Sequence, residues 1–384
     1  MRIGMVVINS AIGGTEKRFS NLFRFLPGET GEDYHFFVPE ILFRKMADCG
    51  LIDASTPGIS RLYQNGLKSV YPLSPKQWGA LKVRGLAKLL KPFWRAELRQ
   101  SIARVQPDIL HIAIPSDHLR PLPDLPFVLE MADHTGENLN TWLVRQAVKR
   151  NCIFNCATEG IRSMLIQAFP ENAVESRARI IPCSFIDYSK VQFDIKRPRQ
   201  KKIVYIGRLE ESKKPFLFLR VIELLSMRRK DFQVQILGTG SLESSMRKWI
   251  VEHHLIDIID ITYIANPLEI LSDTLVYFSA YQVDNYHSQA LLEAMASGCA
   301  IVASNIGETR KVVDESCGFL TANDPEEMAL RIDFLLENME IAKKMGHYAR
   351  QKVMREQTFE RYSTHLSDIY RESYELWHNQ TRPA

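Results

Sequence analysis

Asn285-Tyr286-His287-Ser288-Gln289-Ala290-Leu291-Leu292-Glu293-Ala294-Met295-Ala296-Ser297-Gly298 is a polar loop that runs into a short apolar helix and stops at a glycine. Apolar runs flank it, Leu275–Ser279 before and Ala300–Ala303 after, so the stretch reads as strand, loop, helix, strand. Strands joined through a helical crossover lie parallel in one sheet. The same stretch has chemistry in it. The first turn of a helix has N–H groups without intrahelical acceptors and sits at the positive end of the dipole, so it attracts anions. Glu293, one turn further in, can accept hydrogen bonds from a sugar diol. An ordinary buried helix with one exposed carboxylate would look alike, so the surroundings must decide.

The alternation continues on both sides. In the second half, strands are expected at Lys202–Ile206, Gln233–Leu237 and Ile261–Ile264, with helices at Pro215–Ser226, Leu242–His253, Gln289–Ser297 and Pro325–Asn338. Asp324 is placed to cap the last of these, with Pro325 at its first position. In the first half, strands are expected at Arg2–Ile8, Ile109–Ile112, Phe127–Met131 and Ile153–Cys156. Their order is not legible. The two halves meet in the polar stretch Asp187–Lys202, and after about Arg355 an amphipathic segment repeats Phe359, Tyr362, Leu366, Tyr370 and Tyr374 at helical spacing. The expectation is an α/β chain of two wound halves, with a final helix packing back on the first. The domains are drawn at 1–186, 187–357 and 358–384.

Composition sets the frame. At 384 residues, 45% hydrophobic and 24% charged, the chain is globular and long enough for two cores. No apolar run is long enough to span a bilayer, and the first residues are too short for a signal peptide and lack a cleavage site. The six cysteines lack paired metal-type spacing, and Cys152 and Cys156, in an apolar run, read as small buried thiols, which points to a reducing cytoplasm. A net charge of +4 is too small to imply nucleic acid.

Ligands bind at the carboxyl ends of strands in wound sheets, so loops that follow strands matter most. Three stand out. Gly13 and Gly14, after the first strand, let backbone approach a ligand closely; a plain turn is the alternative. Gly207-Arg208-Leu209-Glu210-Glu211-Ser212-Lys213-Lys214-Pro215 places Arg208 and Lys213 on a loop entering a helix, where a planar fork and a point charge can clamp a diphosphate. Gly238-Thr239-Gly240 allows a tight turn, either structural or beneath a nucleotide.

Together these pieces resemble family 4 of the retaining glycosyltransferases, glycosyl transferases group 1, which have the GT-B fold: two Rossmann-like doubly wound domains facing across a cleft. The matching residues are Gly207, Arg208 and Lys213; Gly238-Thr239-Gly240; Leu292-Glu293-Ala294-Met295-Ala296-Ser297-Gly298-Cys299; Gly307; and the turn Gly318-Phe319-Leu320. In the first half they are Gly13-Gly14-Thr15-Glu16, Pro107-Asp108-Ile109-Leu110-His111 and Ile180-Ile181-Pro182. The resemblance implies that Arg208 and Lys213 hold the donor diphosphate and that Gly14 lets its loop close over it. It implies that backbone around His287, Ser288 and Gln289 meets the phosphates, and that Glu293 binds ribose hydroxyls. It also implies a catalytic His from the first half, best matched by His134, with His111 and His118 as alternatives. No metal or other cofactor is expected. One departure stands out: the family carries a second glutamate eight residues before Glu293, where this chain has Asn285, with Asp284 beside it.

Between Leu81 and Arg104 lie Lys82, Arg84, Lys88, Lys91, Arg95, Arg99 and Arg104, against Glu97 alone, with Leu86, Leu89, Leu90, Phe93 and Trp94 interleaved. That composition suits either a solvated helix face or a helix on an anionic membrane surface, where each cation is worth roughly 1 kcal/mol. The expectation is a cytoplasmic transferase, peripheral on the inner membrane face through 81–104. It would move a hexose-type sugar from UDP or GDP to a glycan or lipid-linked acceptor in cell-surface polysaccharide synthesis. Two rivals stay open: a sugar-nucleotide epimerase or phosphorylase on the same fold, and a non-catalytic nucleotide-sugar-binding partner of another transferase.

Overall fold

The structure is a computed structural model of the chain. It describes residues 1–8, 31–48, 50, 52–53, 57–64, 82–114, 117–132, 136–150, 152–184, 188, 198–264, 266–284 and 286–381, with backbone alone at 82–88 and 380–381. The chain divides into two compact units, Met1–Phe185 with Glu360–Ala384, and Ile186–Phe359.

The first unit comprises β1 (Arg2–Val6), β2 (Asp33–Pro39), α1 (Glu40–Asp48), β3 (Ile59–Leu62), α2 (Lys82–Val105), β4 (Ile109–Ile112), β5 (Phe127–Met131), α3 (Trp142–Lys149), β6 (Ile153–Cys156), α4 (Glu159–Ala168) and β7 (Ala178–Ile180). Its seven strands form one parallel sheet in the order β3-β2-β1-β4-β5-β6-β7. β2, β3 and β7 were not among the expected strands. β3 and β7 are sheet edges whose Ile-Ser-Arg-Leu and Ala-Arg-Ile sequences are half-solvated, so neither reads as an apolar run.

The second unit contains β8 (Gln200–Ile206), α5 (Pro215–Arg228), β9 (Gln233–Leu237), α6 (Glu243–Glu252), β10 (Ile259–Thr262), α7 (Leu268–Asp273), β11 (Thr274–Ser279), α8 (Gln289–Ala296), β12 (Ala300–Ser304), β13 (Gly318–Thr321), α9 (Pro325–Glu337) and α10 (Met339–Glu356). The six strands are parallel in the order β10-β9-β8-β11-β12-β13. Winding therefore reverses between β8 and β11. Asp324 caps α9 through Oδ1, which accepts from Glu326 and Glu327 N–H at 2.8 and 3.0 Å. Two edges differ from expectation. Gly318-Phe319-Leu320 belongs to a strand rather than a turn, and β10 ends at Thr262, leaving Tyr263 62% exposed. Its Ile-Asp-Ile-Thr alternation is that of an edge strand with one wet face.

The final helix, α11 (Phe359–Thr381), packs back on the first sheet. Tyr362, Leu366, Ile369 and Tyr370 are buried, whereas Tyr374 faces outward and lies on the His378 ring. Polar contacts fix its register. Tyr370 Oη meets His111 Nδ1 at 2.8 Å, His365 Nε2 meets Asn155 Oδ1 at 2.8 Å, and Ser373 Oγ donates to the Phe127 carbonyl at 3.2 Å. Arg179 at the edge pairs with Glu372. His111, Glu130 and Asn155, buried on neighbouring strands, thus have a helix above them. Among the described residues no helix is long and apolar enough to cross a membrane.

His365 has a measurable consequence. Burial lowers its pKa to about 4, with Asp368 opposing and Arg179 assisting. The folded protein then holds it neutral while an unfolded chain protonates it below about 6.5. Stability is lost as pH falls from about 6.5 towards 4, by on the order of 1–3 kcal/mol. His365→Gln can keep the bond to Asn155 without titrating. Thermal melts of both proteins across that range should show a shallower acid decline for the variant; equal declines would remove His365 as the cause.

Candidate functional site

A reversal of winding leaves a crevice at the carboxyl ends of the two strands that flank it, because crossover helices leave in opposite directions. In the second unit those strands are β8 and β11. The loop after β8 is Gly207–Lys214, and the loop after β11 runs from Ala280 to Ser288. They are the two loops that carry the expected cations and the expected helix start.

The structure joins them. Gln282 N–H donates to the Ser212 carbonyl at 3.1 Å, a backbone bond from one loop to the other. Lys213 Nζ lies 4.5 Å from the centroid of the Tyr281 ring, a cation–π contact. The Tyr281 hydroxyl bonds Ser288 Oγ at 2.7 Å, and Ser288 is the N-cap of α8, accepting from Leu291 N–H at 3.4 Å. Tyr281 is held in turn from behind: its N–H reaches Ser304 Oγ at 3.3 Å and its carbonyl accepts from Asn323 Nδ2 at 3.0 Å. One buried aromatic thus ties a lysine to a helix terminus.

The electrostatics follow from this packing. Burial, assisted by the Arg208 guanidinium and opposed by Glu210, lowers the Lys213 pKa to about 8. Arg208 is two-thirds exposed and pairs with Glu210 at 3.0 Å. A cation that has lost water and faces a second cation gains most from an incoming anion. His287 is half-buried and lies against the Tyr286 ring, and Gln289 and Glu293 are half-buried on α8. Lys213, Ser288, Gln289 and Glu293 therefore share one end of one sheet. Among the described residues no cluster of three His, Cys, Asp or Glu side chains could hold a metal ion.

Gly238 has a structural reason to be glycine. A Cβ there would stand 1.9 Å from the Gly207 carbonyl oxygen, because the loop after β9 is zipped against the loop after β8. Gly207 N–H donates to Leu237 O at 3.1 Å and Leu209 N–H to Thr239 O at 3.0 Å. The glycine shapes the cation loop from beneath.

Gly13, Gly14, His134 and Asn285 lie outside the described residues. The two alternative histidines are core groups. His111 is fully buried between Tyr370 Oη and Glu130, and His118 is buried against Tyr63 and stacked on Trp94 at 5.7 Å. Asp284 is also committed: its Oδ1 accepts from Tyr286 N–H at 3.0 Å. Its carboxyl group packs on Gly307, which has φ +55°, and a Cβ at 307 would lie 2.1 Å from Asp284 Cγ. Tyr281, Ser304 and Asn323 were not singled out in the sequence, where each is an isolated side chain at the end of a strand.

Comparison with known proteins bears on the fold and the family. Residues 189–352 match the family model described as glycosyl transferases group 1. Spore coat protein SA of Bacillus subtilis is 24% identical over 185 residues, 44% of this chain and 48% of that protein. The poly(ribitol-phosphate) alpha-N-acetylglucosaminyltransferase of Staphylococcus aureus is 27% identical over 183 residues, 46% of this chain and 36% of that protein. The chain spans about half the length of the curated relatives it matches. Among solved structures, a TarM variant from S. aureus with UDP covers 97% of this chain and 99% of its own at 15% identity and a TM-score of 0.74. Anabaena HepE with UDP and glucose covers 97% and 100% at 12% identity and a TM-score of 0.73. A pneumococcal O-GlcNAc transferase with UDP and GlcNAc gives 97% and 99% at 13% identity and 0.73. The chain has the GT-B fold, and within its second unit residues 189–352 are similar to glycosyl transferases group 1.

Proposed function

We propose that this chain is a retaining glycosyltransferase that moves a hexose-type sugar from a nucleoside diphosphate donor to a glycan or lipid-linked acceptor, in cell-surface polysaccharide synthesis. The observation that carries this reading is the joining of Lys213 to the start of α8 through Tyr281, at the strand ends where winding reverses. Departure of a nucleoside diphosphate concentrates negative charge on its terminal phosphate. Lys213, Arg208 and the N–H groups at the α8 start stand ready to neutralise that charge without reorganising. They would take the place of a divalent metal, so chelation should leave the rate unchanged. Glu293 would accept from the ribose diol, and Asn285 would meet the sugar through neutral hydrogen bonds. The three solved structures named above each hold UDP, which makes UDP the first nucleotide to test.

Two measurements bear on this. Glu293→Gln and Arg208→Ala should each lower kcat/KM for transfer by about 10–100-fold with the folded state intact. Full activity in both would remove the site assignment. If Lys213 must be charged to hold the diphosphate, UDP affinity should be steady below about pH 8 and fall as pH rises through that value. Lys213→Met should bind UDP weakly at every pH, so a wild-type profile that is flat from pH 7 to pH 9 would count against the role. Incubation with nucleotide sugar and no acceptor tests the rival epimerase, which needs no acceptor to act.

A further inference from the structure

The helix α2 has an apolar inner face that already satisfies its packing. Leu90, Trp94, Leu98 and Ile102 are buried, and Trp94 lies against the Tyr63 and His118 rings. A helix on a globular surface needs one such stripe. This one carries apolar side chains outside it as well. Leu89 is 71% exposed and Phe93 57% exposed, one turn apart, with exposed Pro92 between them. Near the other end of the helix a separate groove is lined by Arg99, Ile102, Ala103, Leu122 and Leu125.

Among the described side chains of α2, the exposed charges have one sign. Arg99 and Arg104 are exposed, and Lys91 and Arg95 are half-exposed on the flank. Glu97, the single acid of the segment, is turned inward and accepts from Tyr63 N–H at 2.6 Å. The outward surface therefore offers large apolar groups beside cations. A soluble partner of fixed shape would select for pockets and paired charges. A fluid anionic surface asks only for apolar side chains that can enter it and cations at headgroup level.

We propose that the outward face of α2, with Leu89 and Phe93 as its apolar tips and Arg99 and Arg104 beside them, docks on an anionic lipid bilayer. The proposal does not depend on the transferase reading, because its readout is lipid binding. It places the first unit at the surface where a lipid-linked acceptor would be found. Polyanion binding and self-association are the competing uses of such a face.

Co-sedimentation of the full chain with phosphatidylcholine vesicles, and with vesicles containing phosphatidylglycerol as well, tests it. The wild-type chain should partition onto the anionic vesicles and much less onto the neutral ones. Leu89→Ser with Phe93→Ser should weaken that binding at least about tenfold at any salt concentration, and Arg99→Glu with Arg104→Glu should weaken binding to anionic vesicles and reduce its salt dependence, with Lys91 and Arg95 still in place. Both pairs are exposed, so thermal melts should match the wild type and certify the fold. Failure to bind anionic vesicles would overturn the proposal. Binding that survives loss of Leu89 and Phe93 would also overturn it, leaving a plain polyanion patch. Concentration-dependent association of the chain that disappears in the serine variant, without vesicle binding, would reassign the face to a second copy.

Discussion

Reversal of winding between β8 and β11 is the constraint on which the second unit depends. All crossovers in a parallel sheet are right-handed, so a change of strand order sends their helices to opposite faces and leaves the ends of two adjacent strands uncovered. The uncovered ends must still satisfy their backbone. Here they do so with each other: the Gly207–Lys214 loop and the Ala280–Ser288 loop share the bond from Gln282 N–H to Ser212 O, and the loop after β9 supports the first from below. A crevice that topology would create on any such sheet becomes one with fixed walls.

Tyr281 decides what those walls can hold. Its ring accepts a lysine and its hydroxyl accepts or donates at the cap of α8, so one side chain sets both the cation and the helix dipole. Lys213 loses water in the process and stands near Arg208, which is why its proton is held less tightly than usual. Such a charge is costly in the absence of an anion. The cost is offset by the packing of the loop, and binding a diphosphate would recover it.

The second unit was the more legible half, and the reason is physical. Its strands β8, β9, β11 and β12 lie inside the sheet with both faces covered, so they read as apolar runs with clear ends. The half-wet edge strands β3, β7 and β13 did not. The cation loop and the α8 start could be picked out because charged and capping residues sit at element boundaries, where sequence and geometry coincide. Tyr281 could not. A tyrosine at a strand end is usually core, and its role comes from Ser304 and Asn323, which lie on the neighbouring strand and the loop beyond β13. The histidines misled for the same reason: His111 and His118 have reactive side chains, yet both are spent on packing that only the tertiary structure reveals.

Asp284 bears on the departure at Asn285. A carboxylate beside the missing glutamate could have stood in for it, but the Asp284 side chain is already engaged. It holds the Tyr286 N–H and fits against a residue that must be glycine, both for its positive φ and for the space above it. Turning Asp284 towards a sugar would cost the bond to the Tyr286 N–H and the packing against Gly307.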